Sequence, residues 1–435
     1  MSTLQQTSLQ FNTKCQLSST GGQLSSESGL VLLKEFMEKI QFDRLVRETV
    51  PFNDPRKYCT HEQAQLFQQL LFQLIAGYAN DSAADSLKQD PLFSQVFELT
   101  ASQPTLSRFI NQKEEQDNRC VHQLMTRLSE LLLTETNQRQ VIVDIDSTHS
   151  DTFGKQEDSD YNGHYKTNGY HPLLAFEQQT GALLGAQLRP GNHYTSRDSE
   201  MFLAPILYSF ATQEMECLVR GDSGFAKPEI YELCEQTNTK FIIRLKTSQK
   251  LKKIAEHLVL YSDETDFTSE EVQWFSIHYQ ANSWKQPYRV VIKSTRNAGE
   301  FLFRHEFLIT NLTELFPKQI FPMYQNRGAM ENLIKEIKSG FFFDKTDSTR
   351  FQANTFRMLL SSVAYNLIQL MKQLVFPENE KEMTIATIRF RFVRVAARFV
   401  HHARNIQIKL ATSHVFQNSF WKIMRNIQQM RLYSY

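Results

Sequence analysis

The stretch VIVDIDST, residues 141–148, is where the sequence changes from helical to strand-like periodicity. Three β-branched residues, Val141, Val143 and Ile145, alternate with a second set that includes Asp144 and Asp146. Because successive strand side chains point to opposite faces, the two carboxylates are predicted to lie on the same face. A buried unpaired carboxylate is costly, so a metal ion or an arginine must compensate them. For either aspartate taken alone, the alternative is a structural role, in which it caps a neighbouring helix or pairs with a basic side chain.

The sequence that follows indicates an α/β core. Strands are predicted at 171–178, 183–189, 217–222 and 240–245, and helices at 196–211 and 228–236. Three strands, then helix, strand, helix and strand, are typical of a sheet covered by helices.

A third carboxylate lies in LVRGDSGF, residues 218–225. Asp222 follows an apolar strand and precedes Ser-Gly, which places it at the edge of the sheet where α/β proteins bind ligands. The tripeptide RGD also matches an adhesion motif, but such a motif functions outside the cell. Five scattered cysteines without a Cys-x-x-Cys pair, and an N-terminus without a signal-like apolar run, favour a reducing cytoplasm. We therefore interpret RGD as the end of a core strand.

The regions outside this core divide by composition and periodicity. We predict a flexible arm at 1–25, a helical DNA-binding region at 26–139, the first part of the core at 140–249, an antiparallel β insertion at 250–320, further core helices at 321–384 and a basic helical region at 385–435. In the second of these, ASQPTLSRFINQ (101–112) is compatible with a helix-turn-helix or simply with a well-capped helix.

The charge distribution points to a polyanionic partner. The net charge is only +1, yet residues 385–435 contain nine Lys or Arg and no Asp or Glu. Arg391, Arg394, Arg398 and Arg404 recur at roughly helical spacing and are predicted to form a DNA-facing stripe. A solvated helical face is the alternative. No apolar run approaches the roughly 20 residues of a membrane span, so no membrane insertion is predicted.

Four functional side chains share a further helical stripe. Tyr324, Arg327, Glu331 and Lys338 are spaced three, four and seven residues apart. Salt bridges on a solvated helix explain such spacing equally well. Combined with two strand-borne aspartates, however, a helix-borne glutamate predicts a site for two divalent cations about 4 Å apart. Hard oxygen ligands favour Mg²⁺ over zinc.

These motifs resemble those of a known family. The DST of residues 146–148, the RGDSGF around Asp222 and the Y-x2-R-x3-E-x6-K pattern resemble the DDE transposases of bacterial insertion sequences. NGHYKTNGYHPLLAF (162–176), GALLGAQLRPGNHYTSRD (181–198) and FLITNL (307–312) are similar to the insertion sequence 1380 type, within the insertion sequence 4-like superfamily. The resemblance spans nearly the whole chain.

The resemblance implies an RNase H-like α/β core in which Asp146, Asp222 and Glu331 are the catalytic, metal-binding triad. It implies two Mg²⁺ ions per active site, with Mn²⁺ as a substitute. Tyr324, Arg327 and Lys338 match signature positions that hold DNA phosphates, as the chemistry of these side chains allows. Asp144 lies outside the triad and either supports one of the metal ligands from behind or assists the triad directly.

By the same resemblance, the function is cut-and-paste DNA transposition in a bacterial cytoplasm, with the protein on the nucleoid when bound. The implied partners are terminal inverted repeats, target DNA and a second copy of the chain in the synaptic complex. A catalytically silent DNA-binding relative and a metal-dependent nuclease without strand transfer are the alternatives. Trp274 and Trp284 in the insertion either stack a flipped base or belong to the core. Arg189 and His193 either contact DNA or stabilise a turn.

Overall fold

The structure is a computed structural model that describes residues 6–51, 58–261 and 266–432. Its strands are β1 (Gln6–Leu9), β2 (Asn12–Ser18), β3 (Leu24–Ser25), β4 (Gln140–Ser147), β5 (Ser150–Asp151), β6 (Asp160–Asn162), β7 (Thr167–Tyr170), β8 (Leu173–Glu177), β9 (Leu183–Gln187), β10 (Glu216–Gly221), β11 (Lys240–Leu245), β12 (Glu271–Tyr279), β13 (Tyr288–Arg296), β14 (Arg304–Thr310), β15 (Ala397–His402) and β16 (Asn405–Leu410). Its α-helices are α1 (Leu30–Lys39), α2 (Phe42–Thr49), α3 (Gln63–Ala76), α4 (Ala84–Leu87), α5 (Gln103–Asn111), α6 (Glu115–Glu135), α7 (Ser199–Thr212), α8 (Pro228–Gln236), α9 (Gln249–Leu258), α10 (Pro317–Gln325), α11 (Ala329–Phe341), α12 (Phe351–Val375), α13 (Ile385–Ile388) and α14 (Gln417–Gln429). In the ranges described, no helix combines the length and apolarity needed to cross a membrane.

A mixed sheet of eight strands forms the centre of the molecule, in the order β12-β13-β14-β11-β10-β4-β8-β9. β4, β8 and β9 are antiparallel neighbours, whereas β10 lies parallel to β4 and β11 parallel to β10. Helix α7 connects β9 to β10, and α8 connects β10 to β11. The mixed α/β core predicted from the sequence is therefore confirmed.

The three strands of the insertion are antiparallel, as predicted, but they extend the core sheet instead of forming a separate one. β14 pairs with β11, with Ile309 opposite Ile243. Phe307 and Ile309 are fully buried. This pairing covers an edge of the parallel sheet that would otherwise expose unpaired backbone groups.

The helix α12 is the central helix of the core. It is buried on nearly all sides, as expected of a helix surrounded by protein. Asn366 fixes its position, because its side chain accepts from the Leu183 amide at 2.9 Å and donates to the Leu183 carbonyl at 2.8 Å. The same amide group donates to the Met125 carbonyl of α6 at 3.1 Å. The N-terminal helices are thereby joined to the edge strand β9.

A small three-stranded sheet, in the order β5-β7-β6, occupies the connection between β4 and β8. Its close packing requires glycine at two places. A Cβ on Gly169 would lie 2.3 Å from the Ser150 carbonyl oxygen, and one on Gly191 would lie 2.2 Å from the Asp160 carbonyl oxygen. This small sheet lies next to the end of β4.

Both terminal regions differ from their predictions. The predicted arm at 1–25 contains β1, β2 and β3, of which β3 pairs with β15; its first five residues lie outside the described ranges. The region 385–435 is not a run of helices, because a hairpin of β15 and β16 separates α13 from α14. Val395, Ala397 and Phe399 are buried and alternate with exposed neighbours, which is a period of two. The helical stripe predicted from Arg391 to Arg404 is therefore wrong.

Candidate active site

Two carboxylates lie side by side at the carboxyl edge of the parallel strands. β4 and β10 pair in parallel with Ile145 opposite Gly221, so Asp146 and Asp222 occupy the next matching positions. Adjacent strands are separated by about 4.8 Å. Asp222 Oδ1 accepts a hydrogen bond from the Gly224 amide at 2.8 Å, and Asp146 Oδ1 accepts one from the Ser147 amide at 2.8 Å. Asp222 is thus held by the turn that follows its strand, and Asp146 by the next amide of its own strand.

Asp146 is paired with a guanidinium. Arg327 Nη2 lies 2.8 Å from Asp146 Oδ2 and donates to the Ile145 carbonyl at 3.0 Å. Burial raises the pKa of Asp146, the positive charge of Arg327 lowers it, and the nearby charge of Asp222 raises it again. Within the described part of the chain, the buried Nε of Arg327 has no hydrogen-bond partner. The arginine is therefore held mainly by one of the carboxylates predicted to bind metal.

The predicted four-residue stripe is not on a single regular helix. Tyr324 lies in α10, Arg327 in a 3₁₀ turn at Asn326–Gly328, and Glu331 and Lys338 in α11. Burial raises the pKa of Tyr324, and the charges of Asp222 and Asp146 contribute to the increase. Lys338 Nζ donates to the His149 carbonyl at 2.8 Å and lies 3.4 Å from Asp344. Arg327 and Lys338 therefore contact the end of β4 and the residues after it, and the charges of the two aspartates act on Tyr324.

Glu331 is the exception. It lies in the first turn of α11 and is exposed. In the ranges described, no group of three or more His, Cys, Asp or Glu residues is close enough to hold a metal ion. The structure thus brings Asp146 and Asp222 together and leaves Glu331 outside the cluster.

Asp144 has a different environment from Asp146. It is 1% exposed and forms a two-pronged ion pair with Arg220, with Nε to Oδ1 and Nη2 to Oδ2 both at 2.7 Å. Arg220 lies opposite Asp144 in the strand register and also donates to the Met323 carbonyl of α10. The arginine anticipated as one possible compensating charge is therefore Arg220. Because Arg220 is also 1% exposed, RGD is not an adhesion loop here.

Sequence reasoning missed an aromatic neighbour of the two carboxylates. Tyr165, in the connection between β6 and β7, stacks on the His149 ring with 4.7 Å between centroids. Burial raises the pKa of the Tyr165 hydroxyl, and the charges of Asp146 and Asp222 raise it further. The signal was present in the NGHYKTNGYH segment, but no local pattern connects that loop with the end of β4.

Arg189 stabilises the turn that contains His193. Arg189 is 2% exposed and donates to the carbonyls of His171 at 2.9 Å and Arg197 at 2.9 Å. Burial lowers the pKa of Arg189 to about 10. Burial lowers the pKa of His171 to about 4, so the ring is neutral near pH 7. Its Nδ1 donates a hydrogen bond to the His193 carbonyl at 2.8 Å. The turn-stabilising alternative therefore accounts for these contacts.

The two insertion tryptophans differ in exposure. Trp284 is 8% exposed and packs edge-on against the rings of Tyr231, Tyr279 and Tyr288. Trp274 is partly buried against Phe321 of α10. Trp284 is thus a core residue.

The predicted DNA-binding arginines of the C-terminal region lie around the hairpin. Arg394, Arg398 and Arg404 are exposed, whereas the Arg391 guanidinium lies over the Phe416 ring at 4.8 Å. Arg398 faces Lys409 across the two strands. Like charges in such a pair repel each other, so this face favours an anionic partner.

In the N-terminal region, α5 is followed by α6 after a short connection and buries Leu106, Phe109 and Ile110.

Comparison with known proteins identifies one family. The family model described as Transposase DDE domain group 1 matches residues 7–432. No curated protein matches the chain. Among solved structures, the cryo-electron microscopy structure of a piggyBac transposase synaptic complex with hairpin DNA is similar over 84% of this chain and 80% of that chain, with 10% identity and a TM-score of 0.45.

Proposed function

The chain belongs to the DDE transposase family, and we propose that it is a cut-and-paste DNA transposase. It binds terminal inverted repeats, cleaves strands at the ends of the element and joins the 3′ ends to target DNA. The observation that carries this proposal is the placement of Asp146 and Asp222 at matching positions of two parallel strands, with Arg327 beside them. Acidic pairs at such an edge suit phosphoryl transfer assisted by metal ions.

The strand order supports an RNase H-like core. β9, β8 and β4 are consecutive antiparallel neighbours, and β10 and β11 follow in parallel on the other side of β4. We propose membership of the insertion sequence 4-like superfamily on the Y-x2-R-x3-E-x6-K pattern of residues 324–338, and of its insertion sequence 1380 type on the segments 162–176, 181–198 and 307–312. With that assignment, we propose that the protein acts on the nucleoid of a bacterial cell.

The donor chemistry of the site fits Mg²⁺, or Mn²⁺ in its place. Asp146 and Asp222 offer carboxylate oxygens, which hard divalent cations prefer. We propose that Glu331 completes the set, and that two ions are held when DNA is bound. When bound, such ions supply an activated oxygen nucleophile and stabilise the leaving oxygen.

The chain's own side chains position the DNA. Arg327 presents a planar fork that suits a phosphate as well as the Asp146 carboxylate it contacts here. Lys338, held at the His149 carbonyl, adds a point charge, and the Tyr324 hydroxyl adds a donor. In our proposal these three groups hold the phosphate backbone at the cut end, and two protein copies hold the two ends of the element.

The decisive experiment is cleavage of a labelled duplex that carries the element's own terminal repeat, in Mg²⁺ and in EDTA. We expect metal-dependent nicking at the repeat end by the intact protein and none by Asp222→Asn. Asp158→Asn is the matched control, since Asp158 is exposed and its left-handed backbone suits asparagine. Equal cleavage by the Asp222 variant would contradict the proposal.

The exposed position of Glu331 favours one alternative function. A relative that binds DNA without cutting it does not need the third carboxylate near the other two. Specific binding to the repeat without cleavage by any variant would support that alternative. Cleavage without joined products in the presence of target DNA would instead indicate a nuclease without strand transfer.

A further inference from the structure

The loop between β6 and β7 places an aromatic group at the end of β4. The Tyr165 ring stacks on the His149 ring at 4.7 Å with an interplanar angle of 24°. His164 meets the Tyr165 ring edge-on at 4.8 Å, and His171 meets it at 6.0 Å. The tyrosine ring is therefore supported by three imidazoles.

The supporting histidine is itself closely packed. His149 is 7% exposed, and its Nε2 lies 3.2 Å from Asp151 Oδ1. A Cβ on Gly169 would lie 2.6 Å from both Cε1 and Nε2 of His149, so the imidazole lies directly on the glycine backbone. Lys338 holds the His149 carbonyl from the side of α11. Glycine at 169 is thus needed to leave room for this stack.

Tyr165 nevertheless remains accessible. Its exposed fraction is 39%, although His149 covers one face of the ring. Its support His149 follows Asp146 by three residues, so the stacked ring lies beside the end of β4, where Asp146 and Asp222 occupy matching positions. An accessible aromatic ring on a rigid support is how many proteins bind single-stranded nucleic acid.

We propose that Tyr165, supported by His149 and Gly169, is a stacking site for one unpaired nucleobase of the DNA strand that enters the carboxylate pair. The inference rests on the proposed function, because the transposase proposal supplies the DNA. It specifies an unpaired base because the bases inside a duplex have both faces covered by their neighbours. The site belongs to the connection between β4 and β8, not to the insertion, whose Trp284 is buried in the core.

The test is binding in EDTA, so that no cleavage occurs. The probe is a 20-base-pair duplex with a three-nucleotide single-stranded extension that carries 2-aminopurine, compared with the same duplex with blunt ends. Base stacking on an aromatic side chain corresponds to a loss of about tenfold or more in affinity on removal of the ring. We expect Tyr165→Ala to weaken binding of the extended duplex by about tenfold, with no change for the blunt duplex, and to abolish quenching of 2-aminopurine.

Matched variants separate stacking from other effects. Tyr165→Phe keeps the ring and is expected to bind and quench like the intact protein. Tyr161→Ala is the control, since Tyr161 is 59% exposed on the same small sheet. Tyr165→Leu keeps apolar volume without an aromatic face and replaces the alanine variant if that variant unfolds. Gly169→Ala, which displaces His149, is expected to reduce quenching with Tyr165 still present.

Two results would overturn the stacking site: an alanine variant that binds the extended duplex as the intact protein does, or one that loses affinity equally for both duplexes. Failure of the transposase proposal is a separate outcome, because it is read from cleavage in Mg²⁺. Quenching that depends on the Tyr165 ring without any cleavage would leave the stacking site standing. Cleavage at the repeat end without such quenching would leave only the transposase proposal.

Discussion

At the scale of single residues, Asp144 and Arg220 form a buried ion pair whose loss should lower the stability of the core. Both side chains are 1% exposed, and each depends on the other for compensation. Removing one partner of a buried pair costs about 3–5 kcal/mol, because an isolated charge remains. We expect Arg220→Met to lower the free energy of unfolding by that amount in urea denaturation. Replacing both partners, as in Asp144→Leu with Arg220→Met, is expected to recover most of the loss.

The loss should depend on pH. Burial raises the pKa of Asp144 above its ordinary value of 3.8, and Arg220 lowers it, so removing Arg220 raises it further. A carboxyl group with a higher pKa in the folded state destabilises the fold as pH rises above the unfolded value. Arg220→Met should therefore be least stable near pH 7 and regain stability as the pH falls towards 4. A loss that stays constant over this range would contradict the role of the unpaired carboxylate.

Arg327 should compete with metal ions for Asp146. Its Nη2 lies 2.8 Å from the carboxylate, so a cation that binds Asp146 has to displace it. A competing ion pair of about 1 kcal/mol corresponds to a change of about fivefold in affinity. We expect Arg327→Gln to bind Mn²⁺ about fivefold more tightly without DNA, measured by electron paramagnetic resonance.

Arg197→Gln is the control for this measurement, because Arg197 is an exposed arginine with a nearby acid, at 3.6 Å from Asp198. Mn²⁺ affinity that is unchanged or weaker in Arg327→Gln would show that the guanidinium does not compete with the ion.

Single residues also show what the sequence could predict about the site. The placement of Asp146 and Asp222 at strand ends follows from local strand periodicity, and for Asp222 also from the Ser-Gly turn signal after it. The pairing of Asp144 with Arg220 does not, because the two residues are far apart in sequence and only the register of β4 and β10 brings them together. The same reason explains why Tyr165 was missed: a loop and a distant strand end meet only in the folded chain.

At the scale of elements, the hairpin of β15 and β16 offers a basic face. Arg398 and Lys409 face each other across the strands, and both are exposed. If each contacts a DNA phosphate, each adds about 0.9 to the slope of log affinity against log salt. We expect Arg398→Ala with Lys409→Ala to reduce that slope by about 2 and to weaken binding equally for all DNA sequences.

A matched control uses a basic pair elsewhere on the surface. Lys252→Ala with Lys253→Ala, in α9, removes the same charge from another exposed surface. A salt slope that falls as much in this control as in the hairpin variant would show that only net charge matters.

The hairpin also shows why elements are harder to predict than their residues. The spacing of the three arginines at 391, 394 and 398 is helical, whereas the buried residues Val395, Ala397 and Phe399 alternate with a period of two. Burial of the apolar set, not the spacing of the charges, determines the element. For β12 to β14, the strands themselves could be predicted, but their partner could not, since the edge of β11 is visible only in the assembled sheet.

At the scale of the whole molecule, the two ends of the chain fold against each other. The Ser28 amide donates to the Val395 carbonyl at 3.2 Å, and the Gly29 amide donates to the Val393 carbonyl at 3.1 Å. Ser25 of β3 lies opposite Ala397 of β15. Local sequence patterns do not predict contacts between residues at opposite ends of a chain. The composition-based division into an N-terminal arm and a separate basic tail therefore could not include this terminal contact, in which residues 25–29 pack against residues 393–397.

This terminal contact predicts that a small change near the start of the chain reduces protection from hydrogen exchange near its end. A Cβ on Gly29 would lie 1.6 Å from the Phe392 carbonyl oxygen, so Gly29→Ala must push α1 away from the turn before β15. Overpacking of this kind costs about 1–3 kcal/mol. We expect hydrogen exchange to show faster exchange of the Leu32 amide in α1 and of the Phe399 amide, which donates to the Gln23 carbonyl at 2.9 Å. Gly163→Ala is the control, because a Cβ there meets open space. Protection lost in α1 alone, with β15 unaffected, would show that the two ends do not fold as one unit.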